Sequence, residues 1–521
     1  MGTIQSILSG FGNAFTLTNM LVLTGGTVLG IIFGALPGVS STMGVAVLIP
    51  LTYGMNPVTG LIMLAGIYCG SVYGGSISAC LLNTPGTPAS AAATLDGFPM
   101  TRNGRGGEAL HEACIASFWG GIFGAIVLLF LAPTIATFSL KFGSQENAMM
   151  AIFGLTIIVS LSNGSLLKGF LSGLIGLLMS LVGMDITTAY PRFTFNITTL
   201  YGGIAIIPAI VGLYSMSQLL TSSGEKTGVL VNEDSIKNMK VPKVRLKDFV
   251  RYPMTYIKSS IIGAFVGIVP GAGGNIAGYI AYNEAKRASK TPEEFGKGCR
   301  EGVAATEAAN NAVCGGSLIP MLTLGIPGNS VAAVLMGGLL IQGLTPGYSL
   351  FSTYGHITYP FLAGFILAQF AFTIIGLLGA KQFAKVVKVP KGFLLAGIGV
   401  LCVVGSYAAS NNIADVYIML IFGILGYLLK TAGFDISAIV LGLMLGSIAE
   451  AGFMQSYALY QKDLGQTLAS FVTRPISLIL ILISVASCFS PLLSKRKAKK
   501  KAAKLAAQQA AEKAEEKNDE E

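Results

Sequence analysis

Apolar residues in this chain gather in long runs almost free of charge, among them Gly120 to Ala132, Leu166 to Met184, Pro360 to Gly379 and Pro475 to Phe489. With their flanks these approach the roughly 20 residues that a helix needs to cross a bilayer. Nothing alternates apolar and polar residues for long, as the strands of a membrane β-barrel would. The pattern predicts an all-α polytopic membrane protein with about 10–12 transmembrane helices. One stretch departs from it. Tyr68 to Gly97 contains Gly74-Gly75-Ser76 and Asn83-Thr84-Pro85-Gly86-Thr87-Pro88, both expected to break a helix running through them. Lipid cannot satisfy the carbonyls that such a break frees, so this backbone is expected to be buried in protein or to line a wet cavity.

The same signals return downstream. Cys314 to Gly343 holds Gly315-Gly316-Ser317 and then Pro327-Gly328-Asn329-Ser330. Gly34-Ala35-Leu36-Pro37-Gly38 is echoed by Gly267-Ile268-Val269-Pro270-Gly271, Leu161-Ser162-Asn163 by the Ser410-Asn411-Asn412 region, and Gly183-Met184-Asp185 by Gly433-Phe434-Asp435. The order is kept throughout, which argues for an internal repeat. Residues 1–220 form the first membrane repeat, 221–258 a basic linker, 259–452 the second repeat, 453–494 a connection and final transmembrane helix, and 495–521 a charged tail.

Charge orients the halves, because cytoplasmic loops carry an excess of Lys and Arg. Pro50 to Gly60 is uncharged, whereas its counterpart Asn283 to Glu301 holds Lys286, Arg287, Lys290, Lys297 and Arg300. Asp96 to Glu112 holds Arg102 and Arg105, whereas Gly343 to Gly355 is uncharged. Lys141 stands against Lys381, Lys385, Lys388 and Lys391. Corresponding loops thus fall on opposite sides, which is the pattern of two inverted-topology repeats, and such repeats place the substrate site at their interface. Ser260 to Tyr282 lies between two basic flanks, so it is expected to be a re-entrant hairpin tipped by Pro270 to Asn275, the alternative being a single spanning helix kinked at proline. Its mate, Leu21 to Pro50, would enter from the periplasmic side. The N-terminus is then periplasmic, and Lys495 to Lys501 holds the C-terminal tail in the cytoplasm.

Composition adds the class. Of 521 residues, 52% are hydrophobic and 11% charged, against about 25% charged in soluble domains. The net charge of +10 sits in loops and a tail, not on an aromatic-laced face, so nucleic acid is not an expected partner and membrane lipid is. The seven cysteines have no C-x-x-C spacing and read as small core residues. A removable signal peptide is not expected.

The broken stretches are chemically neutral. Unwound backbone offers carbonyl oxygens to a desolvated Na⁺, Ser, Thr and Asn add neutral oxygens, and half-helix N-termini present N–H groups to a carboxylate. The candidate binding residues are Pro37, Gly38, Ser40, Ser41 and Thr42; Asn83, Thr84, Pro85, Gly86 and Thr87; Pro270, Gly271, Gly273, Gly274 and Asn275; and Pro327, Gly328, Asn329 and Ser330, with Asn310 and Asn311 preceding the second glycine signal. Small residues also let helices pack closely; the recurrence of the breaks in repeated order is what favours a site. Glu307 is an acid beside an apolar run, open to ion binding, proton relay or a packed helix end. Asp96 reads as the start of a loop, Asp185 and Asp435 as turn or helix-start residues, and His111 as part of a charged loop, with no metal partner for it or for His356. No G-x-x-x-x-G-K-[ST], G-x-S-x-G or H-E-x-x-H motif occurs, so neither ATP hydrolysis by this chain nor an intramembrane hydrolase is expected.

YGGSISACLLNTPGTPAS (Tyr73 to Ser90), the tip Pro37 to Ser41, PGAGG (Pro270 to Gly274) and EAANNAVCGGSLIPMLTLGIPGNS (Glu307 to Ser330) together resemble the large membrane subunit of the tripartite tricarboxylate transporters, the TctA type. The resemblance runs from about Gly30 to Gly446. It implies a secondary transporter of the bacterial inner membrane, working with a small four-helix membrane subunit and a periplasmic solute-binding protein that captures a small carboxylate. Import would be coupled to Na⁺ or H⁺, with no other cofactor. The two hairpin tips and two broken helices are expected to form an elevator-like core working by alternating access. The alternatives are a channel or exporter of organic anions with the same inverted-repeat fold, or an intramembrane enzyme acting on a lipid-linked substrate, which would need paired acids or a nucleophile with a base at membrane depth, and the sequence shows neither.

Overall fold

The computed structural model describes residues 3–161, 166–224, 239, 241–269, 273–386, 389 and 391–487. Its first half contains the helices α1 (Thr3–Ala14), α2 (Leu17–Ala35), α3 (Ser41–Leu48), α4 (Pro57–Leu82), α5 (Thr94–Arg102), α6 (Gly106–Phe138), α7 (Ser144–Leu161), α8 (Leu166–Ser180) and α9 (Ile206–Ser223). The second half contains α10 (Pro253–Ile268), α11 (Gly273–Ala288), α12 (Arg300–Leu324), α13 (Ser330–Ile341), α14 (Gly355–Val386), α15 (Lys391–Ser410), α16 (Ile413–Thr431) and α17 (Ile436–Leu459), followed by α18 (Leu464–Thr473) and α19 (Pro475–Ser487). Strand pairing among the described residues is limited to a two-residue antiparallel ladder, Gly183 opposite Arg192 and Met184 opposite Pro191. The chain is thus an all-helical, multi-pass membrane protein.

Eight described helices are long and apolar enough to cross a membrane, and α18 with α19, bent by 83°, adds a ninth if the pair is one broken span rather than a re-entrant loop. The count is below the about 10–12 read from the apolar runs because several runs are divided. α3, α8, α10, α11 and α13 span 8, 15, 16, 16 and 12 residues. α12 has the length, 25 residues, but carries Glu307, Asn310 and Asn311.

α4 and α12 form the centre. α4 is buried without interruption from Gly60 to Leu81, and α12 from Gly302 to Thr323, as helices surrounded on all sides by protein must be. They run antiparallel, since Tyr68 meets Ser317 while Ser76 meets Glu307. Each has a closely packed neighbour. A Cβ at Gly30 or Gly34 of α2 would stand 2.4 or 2.0 Å from the carbonyl oxygens of Ile67 and Ser71 on α4; one at Gly263 or Gly267 of α10 would stand 2.2 or 2.8 Å from those of Ala309 and Val313 on α12. Four-residue spacing of glycines brings two backbones into contact in both halves. Across the halves, α6 lies on α12 and α14 on α4, where Tyr73 stacks on Phe372 at 5.4 Å.

Two hairpins return to the end they left. The side chains of Asn19 at the start of α2 and Thr59 at the start of α4 are hydrogen-bonded at 2.7 Å, so the α2–α3 unit folds back on itself. Glu301 accepts from Thr255 at the start of α10 (2.6 Å) and from Ser289 just past α11 (3.2 Å), closing the second hairpin.

The loops read as cytoplasmic meet at one end. Asp96 Oδ1 accepts the backbone N–H groups of Gly296, Gly298 and Cys299 at 2.8–2.9 Å, and its Oδ2 accepts the Tyr282 hydroxyl. Arg300 Nε donates to Glu112 Oε2 at 2.6 Å, and Tyr256 donates to Glu112 Oε1. Two sequence expectations are corrected here. Asp96 lies within α5 and clamps the opposite loop, and His111 lies in the first turns of α6, 1% exposed, with Nδ1 3.3 Å from Arg300 and Nε2 3.9 Å from Asp248. A charged segment is hydrophilic only until its charges pair with each other.

Candidate functional site

The glycine triplets do not break their helices. α4 runs through Gly74-Gly75-Ser76 and α12 through Gly315-Gly316-Ser317, because glycine costs a helix interior only about 1 kcal/mol and here admits a neighbour. A Cβ at Gly74 would stand 2.5 Å from the Ile31 carbonyl oxygen, and one at Gly316 2.4 Å from that of Ala264. The breaks come later. α4 ends at Asn83 in the left-handed conformation, φ 56°, and α12 at Gly325, φ 71°.

After each break the chain folds back on its own helix. In the first half the Gly86 N–H donates to the Gly75 carbonyl at 3.3 Å, and Thr87 with Ser90 forms a reciprocal capping box opening the turn Pro88–Ala93. In the second half the Gly328 N–H donates to the Ser317 carbonyl at 3.2 Å, and Asn329 Oδ1 accepts from the Ala332 N–H to cap α13. Among the described residues Thr84 Oγ1 donates only to the nearby Leu82 carbonyl, and Pro85 is half-buried.

The second break and the first hairpin tip come together. Ser40 caps α3 by accepting from the Met43 N–H, Gly38 turns with φ 82° beside half-buried Pro37, and Thr42 Oγ1 lies 3.1 Å from Ser330 Oγ, 288 positions away. Asn329 Nδ2 donates to the Tyr68 hydroxyl at 2.9 Å, and that hydroxyl lies 3.1 Å from Ser317 Oγ. Ser41 Oγ is buried with no partner among the described residues. Of the candidates, Thr42, Gly328, Asn329 and Ser330 therefore share one neutral polar junction, with Ser41 and Pro327 beside them in the chain. Asn83 does not join it: its side chain is exposed, and no hydrogen bond among the described residues links the two breaks. Pro270 and Gly271 lie outside the described residues, as do the side chains of Gly273, Gly274 and Asn275, whose backbone opens α11.

Asn310 and Asn311 belong to a second polar layer, farther along α12. Ser76 Oγ donates to Glu307 Oε2 at 2.5 Å, Ser117 Oγ at 3.3 Å, and Asn311 Nδ2 donates to Ser117 Oγ at 2.8 Å. Tyr68, Ser76, Ser117 and Ser317 were not singled out from sequence. Ser76 and Ser317 close the two glycine triplets, which was the available signal; nothing marks Tyr68 or Ser117 before their partners are known.

A cavity of about 610 Å³ reaches the second break at Gly325, at the end of α12 away from the charged cluster. Its polar lining is neutral, with Asn147, Thr323, Thr345, Ser447 and Gln455 among the residues. The echoed acids are structural: Asp185 accepts from Thr187 and Thr188, and Asp435 caps α17. The six described cysteines are free and buried.

Residues 20–441 match the family model described as the tripartite tricarboxylate transporter TctA family. The chain is 35% identical over 486 residues to an uncharacterized 52.8 kDa protein of the TAR-I ttuC′ 3′ region of Agrobacterium vitis, covering 93% of this chain and 95% of that one. It is 34% identical over 215 residues to an uncharacterized protein of the TAR-II ttuC′ 3′ region of the same organism, covering 41% of this chain and 87% of that one. No solved structure matches it.

Proposed function

Because the chain belongs to the tripartite tricarboxylate transporter TctA family, we propose that it is the subunit through which a small carboxylate, a tricarboxylate or related organic acid, crosses the bacterial inner membrane. A periplasmic solute-binding protein delivers the substrate, a small four-helix membrane subunit assists, and Na⁺ or H⁺ drives import. The chain acts as a carrier and not as an enzyme.

The observation that carries this reading is the junction of Thr42, Tyr68, Ser317, Asn329 and Ser330. It joins a hairpin tip of one half to a broken helix of the other and holds no acid to repel an anion. Two further observations support it. The central helices α4 and α12, which carry the echoed motifs, are antiparallel, as inverted repeats require. The neutral cavity ends at Gly325, next to the junction, and on the charge assignment it faces the periplasm. In the proposed cycle the two hairpins and two broken helices move as one elevator-like core against the remaining helices, carrying the carboxylate with its cation.

Uptake of labelled citrate and of a panel of other carboxylates, in cells lacking the chain and in cells restored with it and its partners, tests the function. Accumulation of at least one that depends on the chain, the binding protein and a cation gradient is the expected result. Passive equilibration without the binding protein would refute it.

A further inference from the structure

Glu307 has no exposure to solvent, and among the described residues it forms no ion pair. Every group that reaches its carboxylate approaches one oxygen. Ser76 and Ser117 donate to Oε2 at 2.5 and 3.3 Å, and the amides of Asn310 and Asn311 lie 3.5 Å from it. Among the described residues Oε1 is buried without a partner, and so is Asn310 Oδ1 on the next turn.

The titratable groups that its charge reaches are Tyr73 and Cys80 of α4 and Cys314 of its own helix. α6 presents Ser117 to it and places Cys114 near Tyr73. The titratable groups of α10 and α11 point elsewhere: Tyr256 is bonded to Glu112, and Tyr282 to Asp96. Among the described residues no positive side chain faces the carboxylate, so its ionised form is uncompensated there.

Two occupants could neutralise it, and the geometry separates them. A hard cation held by protein oxygens takes about six or more ligands. Here the buried side-chain oxygens left without a partner among the described residues are two, Glu307 Oε1 and Asn310 Oδ1. A proton needs one oxygen. We propose that Glu307 is a proton-carrying site, with Oε1 taking up a proton from water and releasing it again while Oε2 stays held by Ser76 and Ser117. Its part in a transport cycle rests on the carrier reading above; the protonation itself does not.

Infrared difference spectra of the purified protein in lipid vesicles, taken across the pH range, test the site without any substrate. The expected result is a carboxylic-acid carbonyl band that disappears as pH rises and is missing in Glu307→Gln. Should that variant not fold, Ser76→Ala is read instead. Removing a hydrogen bond from the carbonyl oxygen Oε2 should move the band to higher frequency. A difference spectrum unchanged in Glu307→Gln, or a band unmoved in Ser76→Ala, overturns the proposal. The coupling is tested with labelled citrate in cells carrying the chain and its partners. An inward proton gradient should speed uptake by wild type and not by Glu307→Gln, which should retain citrate exchange; equal stimulation of both overturns the coupling. Wild-type cells that take up neither citrate nor any other carboxylate of the panel would count against the carrier reading alone, leaving the infrared result to decide the site.

Discussion

Gly328→Ala tests the junction through its backbone. An alanine Cβ at 328 would stand 2.5 Å from the Gly267 carbonyl oxygen, 2.6 Å from the Ser317 Cα and 2.8 Å from the Ser317 Cβ. Non-bonded carbons pack at about 3.5–4.0 Å, so the loop must retreat by about 1 Å, since two of these three atoms are helix backbone that no rotamer change can move. Overpacking of this kind costs about 1–3 kcal/mol. The Gly328 N–H bond to the Ser317 carbonyl, 3.2 Å, is stretched in the process, adding about 1 kcal/mol. The same retreat draws Asn329 from Tyr68 and Ser330 from Thr42, contacts of 2.9 and 3.1 Å, beyond hydrogen-bonding range. About 2–4 kcal/mol against the native geometry corresponds to a loss of uptake of more than tenfold, at about 1.4 kcal/mol per factor of ten. The assay is the initial rate of labelled citrate uptake, read beside the apparent Tm of the purified protein. Gly86→Ala, whose Cβ would stand 2.0 Å from the Gly34 carbonyl oxygen, should behave alike, whereas Gly12→Ala, with nothing within 4 Å, should not. Wild-type uptake and Tm in Gly328→Ala would refute the reasoning.

Three further predictions concern the charged end and the exposed ladder. Asp96→Ala leaves three backbone N–H groups without an acceptor and should destabilise by about 3 kcal/mol or more, seen as a lowered apparent Tm that Asp96→Asn partly restores. Arg300→Met leaves Glu112, 0% exposed, without its ion-pair partner, costing about 3–5 kcal/mol; adding Glu112→Leu should recover much of the loss in the same thermal scan. Asp185 is held below the usual carboxylate range by the N–H groups of Thr188 and Thr187, then the Thr188 hydroxyl and Arg192. Its stabilisation is full above the unfolded value of about 3.9 and is lost as pH falls through the lower folded value. Pepsin cleavage within residues 183–192 should therefore rise at the acid end in wild type, whereas Asp185→Asn should be cleaved readily at every pH tested.

What could be read from the sequence was the punctuation. Proline, asparagine and glycine end α4 and α12 where the motifs placed them, since few residues other than Gly and Asn tolerate the left-handed turn at Asn83 and Gly325. Two of the basic loops placed at one end, Asp96 to Glu112 and Asn283 to Glu301, do meet there, through Asp96, Glu112 and Arg300. The glycine triplets misled because the same residue type serves two ends: it breaks a helix when nothing supports it, and it admits a neighbouring backbone when one is present. Asn83 and Asn329 looked equivalent, yet one is exposed and the other caps α13 and holds Tyr68. Hydroxyls such as Ser117 and Tyr68 could not be found at all, because a polar atom in an apolar helix acquires meaning only from a partner brought by tertiary packing. His111 reads as part of a loop for the same reason: it and Glu112 turn inward toward Asp248 and Arg300.

The central claim is that the carboxylate or its cation binds where Thr42 and Ser330 meet. Thr42→Val with Ser330→Ala removes both hydroxyls without adding bulk or disturbing the Ser40 and Asn329 caps. Labelled citrate uptake by this double variant, measured as a function of citrate and Na⁺ concentration in cells with the partner subunits present, should show a KM for one of the two raised at least tenfold with the apparent Tm unchanged. Uptake with wild-type KM for both would contradict the account.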